Sequence, residues 1–243
     1  MPNLSTDREM LDSNRRFYNA LWNDARLVGP ERFNTWPLVS SLLQPGQRRL
    51  EVAPGLRPRL PLAGTHFVDI STSALAKLKA DGADTVLGSI SELPFADASF
   101  DLVCALDVIE HVDEDQRALT ELARVAAPAA TLLLSVPLHP QWWTPFDDFV
   151  GHRRRYEPAE ILSLLARCGF VITHSAVFGM KPKSSRLVNF GMWFLRHRRK
   201  QSMWWYNRVL PFTVRFQKKL EPVTGLLDTS DIGEVLLVCR KQL

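Results

Sequence analysis

Two short stretches hold most of the side chains that could do chemistry. The first, Leu87 to Val112, reads LGSISELPFADASFDLVCALDVIEHV and closes on Asp107, Glu110 and His111. The second, Asp147 to Tyr156, reads DDFVGHRRRY. His152 could take a proton from a substrate hydroxyl near neutral pH. Tyr156 could orient that substrate, and Arg155 or Arg154 could hold an acidic group on it. The same residues also suit a purely structural loop, with the arginines paired to Asp147 and Asp148, and the sequence favours neither reading. His111 is the weaker base, better suited to organising the turn that follows its strand. No HxxxH pair and no carboxylate-rich triad stands out, so a metal-independent protein is expected. Cys104, Cys168 and Cys239 lie in apolar runs without CxxC spacing and read as buried, reduced thiols of a cytosolic protein.

Such groups act together only if several elements bring them to one place. Residues Arg48–Val52 form a strand running into a loop around Gly55, and Thr65–Ile70 form a second that carries Asp69 at its end. Asp84–Ile90 form a third, and Phe100–Leu106 a fourth that runs into Asp107. Further strands are expected at Ala130–Val136, Phe170–Val177 and Ile232–Arg240. The nearly unbroken apolar run of the fifth marks burial on both faces. Helices are expected within Leu4–Leu43 with a break at Pro30, from Ser71 or Ser73 to Ala80, over Asp113–Val125 and over Pro158–Cys168. Between the first two strands, LRPRLPLAG holds two prolines and leaves room for at most one helical turn. Alternating strands and helices give a parallel sheet, whose carboxyl edge is where a doubly wound fold binds a nucleotide-like ligand.

The order of these motifs resembles the class I S-adenosylmethionine-dependent methyltransferases, above all the type-11 group. The resemblance runs from about Arg48 to Phe170 and resumes at Ile232–Arg240. It rests on Leu50-Glu51-Val52-Ala53-Pro54-Gly55, on Asp69, on Leu93-Pro94-Phe95 before Phe100-Asp101-Leu102-Val103, and on Asp107-Val108-Ile109-Glu110-His111. It implies an α/β, Rossmann-like doubly wound seven-stranded sheet of order 3-2-1-4-5-7-6 with the last strand antiparallel. It also implies S-adenosyl-L-methionine as cofactor, with Asp69 at the ribose, Ile70 among the other cofactor contacts, Ser89 and Ile90 at the adenine, and Leu106 and Asp107 at the methionine end. Glu51, Ala53, Gly55 and Arg57 form the loop beneath the cofactor. Ala53 and Arg57 replace two of the family's loop glycines, and Arg57 or Arg59 could supply the positive charge that a normal helix N-terminus would offer. The broken glycine pattern and the prolines argue against a nicotinamide dinucleotide site. No Asp/Asn-Pro-Pro-Tyr motif follows the fourth strand, which argues against amino methylation of nucleic acid.

The chain has 243 residues and a net charge of +4. Residues 181–228 carry eleven Lys or Arg and two acids, so the remainder is net negative by five. Four segments are expected: a helical cap over 1–47, the cofactor-binding core over 48–180, a basic aromatic insert over 181–228, and a closing strand over 229–243. Two helices fit the insert, Ser185–His197 and Met203–Leu220, with Pro211 kinking the second. The insert suits a lid over an apolar substrate pocket shared with Phe17, Leu21 and Trp22, and also shallow contact with an anionic membrane. The expected reaction is O-methylation of a small apolar or amphipathic metabolite, with C-methylation of a quinone-like lipid as a variant. Trp22, Arg155 and His111 are the substrate-binding candidates; His152 and Tyr156 are the catalytic ones. RNA-directed methylation and an inactive binding protein are the alternatives. The polar start and the lack of a long apolar run fit a cytoplasmic protein, at most peripheral to the inner face of a membrane.

Overall fold

The structure is a computed structural model that describes residues 4–179 and 185–243, with side chains outside 4–13, 185, 187 and 215. Residues 181–184 of the expected insert lie outside the described residues. In chain order the elements are α1 (Leu4–Asp24), α2 (Trp36–Leu42), β1 (Arg49–Val52), β2 (Thr65–Asp69), α3 (Thr72–Ala80), β3 (Asp84–Leu87) and β4 (Phe100–Leu106). Then follow α4 (Asp115–Val125), β5 (Ala126–Pro137), α5 (Pro145–Val150), α6 (Pro158–Arg167) and β6 (Phe170–Val177). The chain continues through α7 (Ser185–His197), α8 (Arg199–Thr213), β7 (Val223–Thr224) and β8 (Glu234–Lys241).

One sheet holds all the described strands in the order β3-β2-β1-β4-β5-β8-β6-β7. Neighbours from β3 through β5 pair parallel, and β8 pairs antiparallel with both β5 and β6. The expected seven-strand order is present, with an eighth strand added. Val223–Thr224, placed at the end of the insert by sequence, pairs with His174 and Ser175 and extends the sheet edge.

Strand alternation sorts the core. Along β4, Leu102 and Cys104 pack on one face with Val39 of α2, while Val103 and Ala105 pack on the other with Leu119 and Leu122 of α4. A third cluster joins Trp22 and Ala25 from the α1 end, Leu56, Phe67, Leu78 of α3 and Met203 of α8. The stretch between β1 and β2 contains no helix. Leu56 and Leu60 are fully buried there. The Glu51 carboxylate ties the loop down by accepting the Arg59 and Leu60 N–H groups at 2.8 to 3.0 Å. β3 ends at Leu87, earlier than expected: the Gly88 N–H still donates to Asp69 O at 3.2 Å, and Ser89 then bridges to Glu92 instead of β2.

Candidate active site

A cavity of about 1000 Å³ opens at the carboxyl edge of β1, β2 and β4. Its walls are the loops after those strands; α1, α7 and α8 contribute Tyr18, Trp22, Leu195, Met203 and Tyr206. β8 runs antiparallel, with Glu234 opposite Pro137, so its first residue reaches the same edge.

At one end the loop after β1 is shaped by two left-handed residues, Ala53 (φ 54°) and Gly55 (φ 54°). Gly55 leaves no room for a side chain: an added Cβ would stand 2.3 Å from the Trp22 ring. The Gly55 N–H donates to Asp69 Oδ2 at 3.0 Å and the Ser71 N–H to Oδ1 at 2.7 Å. Burial nevertheless pushes the Asp69 carboxyl up to about 6, against the pull of these N–H groups. Ile70, Ser89 and Ile90 line the adjoining wall, with Leu106 and Asp107 below. The Arg57 guanidinium lies over the Trp22 ring at 5.6 Å and the Tyr206 ring at 5.0 Å. Arg57 Nε and Arg59 Nη1 are buried without a hydrogen-bond partner among the described residues. Two unsatisfied cationic donors in the same cavity as a buried carboxylate suit a ligand bearing both a carboxylate and a diol, and the amino-acid and ribose ends of S-adenosylmethionine have these groups.

The other end is acidic and holds both histidines. The Ser135 hydroxyl accepts the Asp107 N–H at 2.8 Å and donates to the Asp107 carboxylate, which fixes Asp107 at φ 55°. Burial, then repulsion from Asp107, pushes the Glu110 and Glu234 carboxyls well above the ordinary range. Glu110 is 1% exposed, and its Oε2 has no partner among the described residues. Burial, with the nearby His152, lowers His111 to about 4. The two imidazoles stand 4.8 Å apart, edge to face. His152 Nδ1 lies 2.8 Å from Asp147 Oδ1. Burial pushes the Asp147 carboxyl up, but the hydrogen bonds from His152, Arg155 and Thr144 outweigh it and hold the group well below its usual value. The capping box of α5, in which Thr144 donates its N–H and hydroxyl to Asp147, sets this carboxylate in place.

The cofactor-end candidates Glu51, Ala53, Asp69, Ile70, Ser89, Ile90, Leu106, Asp107 and Arg57 all line the cavity, and Gly55 supports it from beneath. His152, His111 and Trp22 line it too; Trp22 packs on the Gly55 loop, and the Tyr18 ring contacts both it and His111. Tyr156 does not reach it. Its ring is fully buried and its hydroxyl donates to Ile109 O at 3.3 Å, because pairing of its main chain with Pro137 and His139 turns it into the core. Arg155 is likewise not free to bind substrate: it forks onto Asp147 at 2.9 and 3.0 Å and reaches Leu138 O and Gly233 O. The expectation of unclustered metal-type ligands is corrected, since one ligand atom each of Glu110, His111 and His152 lies within 4.8 Å of the others. Sequence reading missed Tyr18 and Glu234. Tyr18 follows from the Asn14, Tyr18, Leu21 spacing of one helical face, and Glu234 from a lone acid opening an apolar strand.

Comparison with known proteins agrees with this geometry. Residues 52–134 match the family model described as a methyltransferase domain. A protein of Mycolicibacterium smegmatis named as a probable S-adenosylmethionine-dependent methyltransferase is 33% identical over 43% of this chain; the chain spans only 41% of that relative. A demethylmenaquinone methyltransferase of Beutenbergia cavernae is 30% identical over 165 residues, 62% of this chain and 68% of that one. Among solved structures, an S-adenosylmethionine-dependent methyltransferase from Mesorhizobium loti superposes with a TM-score of 0.55 at 15% identity, covering 88% of this chain and all of that one. The chain belongs to the class I S-adenosylmethionine-dependent methyltransferases, in the type-11 methyltransferase domain family.

Proposed function

We propose that the chain transfers a methyl group from S-adenosylmethionine to a hydroxyl oxygen of a small amphipathic metabolite. The observation that carries this reading is the Asp147–His152 pair at the acidic end of the cavity. Asp147 also accepts from Arg155 and Thr144, so it acts as an acceptor and His152 Nδ1 carries the proton. The Nε2 lone pair then faces the cavity, where it can either remove the hydroxyl proton itself or help to hold a cation that acidifies the hydroxyl. The cofactor supplies an activated methyl group, so the protein is left to orient the acceptor, keep water out and manage one proton. Arg57 and Arg59 would hold the cofactor's carboxylate, and Asp69 its ribose hydroxyls.

C-methylation of a quinol-like ring uses the same proton removal, and the Beutenbergia relative favours it as the second reading. An apolar acceptor fits the roof of Leu195, Met203 and Tyr206. The outer surface of the same helices is aromatic, with Phe190, Trp193, Trp204, Trp205 and Phe212 each about half exposed or more. Lys200 and Arg208 lie among them, and Arg186 on α7 and Arg198 at the start of α8 are exposed, while Arg196 and Arg199 line the cavity. Together they suit shallow docking on an anionic bilayer, from which a lipid-like acceptor would enter.

Calorimetric titration with S-adenosylhomocysteine tests the cofactor half; binding should be lost in Asp69→Ala. Mass-spectrometric screening of amphipathic phenols and quinols tests the acceptor half. His152→Ala should keep cofactor affinity and lose turnover by about 10²–10⁴-fold; full activity in that variant would end the reading.

A further inference from the structure

We propose, resting on the methyl-transfer reading, that Glu110, His111 and His152 bind one divalent first-row cation of the Zn²⁺ or Mn²⁺ kind, which holds and acidifies the acceptor hydroxyl.

The hydrogen bonds at the back of each ring carry the proposal. His152 gives its Nδ1–H to Asp147 at 2.8 Å, leaving the Nε2 lone pair 3.8 Å from Glu110 Oε1. His111 Nδ1 is 3.2 Å from Gly151 O; a carbonyl only accepts, so Nδ1 carries the proton and Nε2 the lone pair. A ring whose far N–H is held by a carboxylate or a backbone carbonyl is the recurrent arrangement of a metal-ligating histidine. The third donor, Glu110, is 1% exposed and keeps its Oε2 unpartnered among the described residues. A buried carboxylate oxygen without a donor is costly unless something positive meets it.

One ligand atom from each residue lies within 4.8 Å of the other two. A cation about 2.1 Å from each would draw them together by roughly 1 Å, within the reach of small side-chain rotations. Two imidazoles and one carboxylate select a transition ion over Mg²⁺ or Ca²⁺, which take oxygen ligands. Asp107 and Glu234 line the same end of the cavity. All three residues line the cavity, so an acceptor oxygen in it could complete the coordination.

The acceptor oxygen would ligate the ion and release its proton to solvent. That oxygen then forms a bond to the methyl carbon as the carbon–sulfur bond breaks. Sulfur keeps the electron pair, giving an ether, a neutral thioether and one proton.

Equilibrium dialysis with Mn²⁺ and Zn²⁺, and Mn²⁺ electron paramagnetic resonance, test the site on the full chain with and without S-adenosylhomocysteine. The expected result is one ion per chain. Affinity should fall at least tenfold in Glu110→Gln and in His111→Ala. It should fall about tenfold in Asp147→Asn, where all three ligands remain. Affinity for S-adenosylhomocysteine should stay within about twofold throughout. If the wild type binds S-adenosylhomocysteine and takes up neither ion, the metal proposal fails and the methyltransferase reading stands. Uptake that is unchanged in Glu110→Gln and His111→Ala also overturns it. An ion bound and lost in the variants, without any S-adenosylhomocysteine binding, upholds the site and sinks the methyltransferase reading. If Glu110→Gln does not fold, His111→Ala decides alone.

Discussion

At the residue scale, Asp69 links cofactor binding to pH. Its folded pKa, about 6, lies above the ordinary 3.8, so the folded state binds more protons between these values. Ligand-free stability therefore falls as pH rises through that window; Glu51, raised by burial to about 7, acts in the same direction up to its own value. A diol that donates to the ionised carboxylate lowers this pKa and releases a proton. Affinity for S-adenosylhomocysteine is expected to rise close to tenfold per pH unit up to about 6 and to level off above. Titrations in buffers of different ionisation heat would show the released proton; a flat profile would mean Asp69 does not meet the ligand. Gly55→Ala should cost about 2–4 kcal/mol, from its left-handed φ and the clash with Trp22. A thermal melt should fall by roughly 5–15 °C. The acid at the end of β2 and the Gly55 loop were legible because strand ends and φ-demanding turns leave marks in sequence. Tyr156 was not legible, since its direction is set by pairing with β5. Nor was the meeting of His152 with Glu110 and His111, which depends on the left-handed turn at Gly151 after α5.

At the element scale, α8 is held to the end of α1 by the Asn207 amide, beside the Arg199–Asp24 ion pair at 3.7 Å. Asn207 of α8 donates Nδ2–H to Asp24 O at 2.7 Å and accepts the Arg26 N–H at 2.8 Å. Lys77 of α3 holds Trp22 O, Asn23 O and Ala25 O from the other side. Asn207→Ala should loosen the roof without touching the cofactor loop. Hydrogen exchange should quicken severalfold across Arg199–Thr213, and the acceptor KM should rise while cofactor affinity holds. Unchanged exchange would show that Met203, buried against Trp22 and Leu56, and the ion pair hold α8 instead. Apolar periodicity gave β4, β6 and α7 their bounds, because each is flanked by polar or turn-forming residues. The start of α8 escaped it: the break at Arg198 (φ −136°) uses neither glycine nor proline. β7 escaped it too, being two exposed residues held only by their pairing with β6.

At the scale of the whole molecule, charge and aromatics are divided between two sides. The cavity end is acidic, whereas the outer face of α7 and α8 is basic and aromatic, and no described helix is long and apolar enough to cross a membrane. The chain is expected to float with phosphatidylglycerol vesicles at low salt, to release above roughly 0.5 M salt, and to ignore phosphatidylcholine. Replacing Trp193, Trp204 and Trp205 by alanine should abolish flotation; flotation that survives would remove the docking face. The sheet carries a further consequence. β8 is the last strand in sequence, yet it sits between β5 and β6. At ribosomal speed, the stretch separating β6 from β8 takes roughly 3–10 s to make. During that interval the apolar edge of β5, Leu132 to Val136, has no neighbour on one side, and an unpaired edge of that kind invites pairing with another nascent chain. Synthesis of this protein thus includes a waiting period in which the edge of β5 stays open to pairing until β8 arrives.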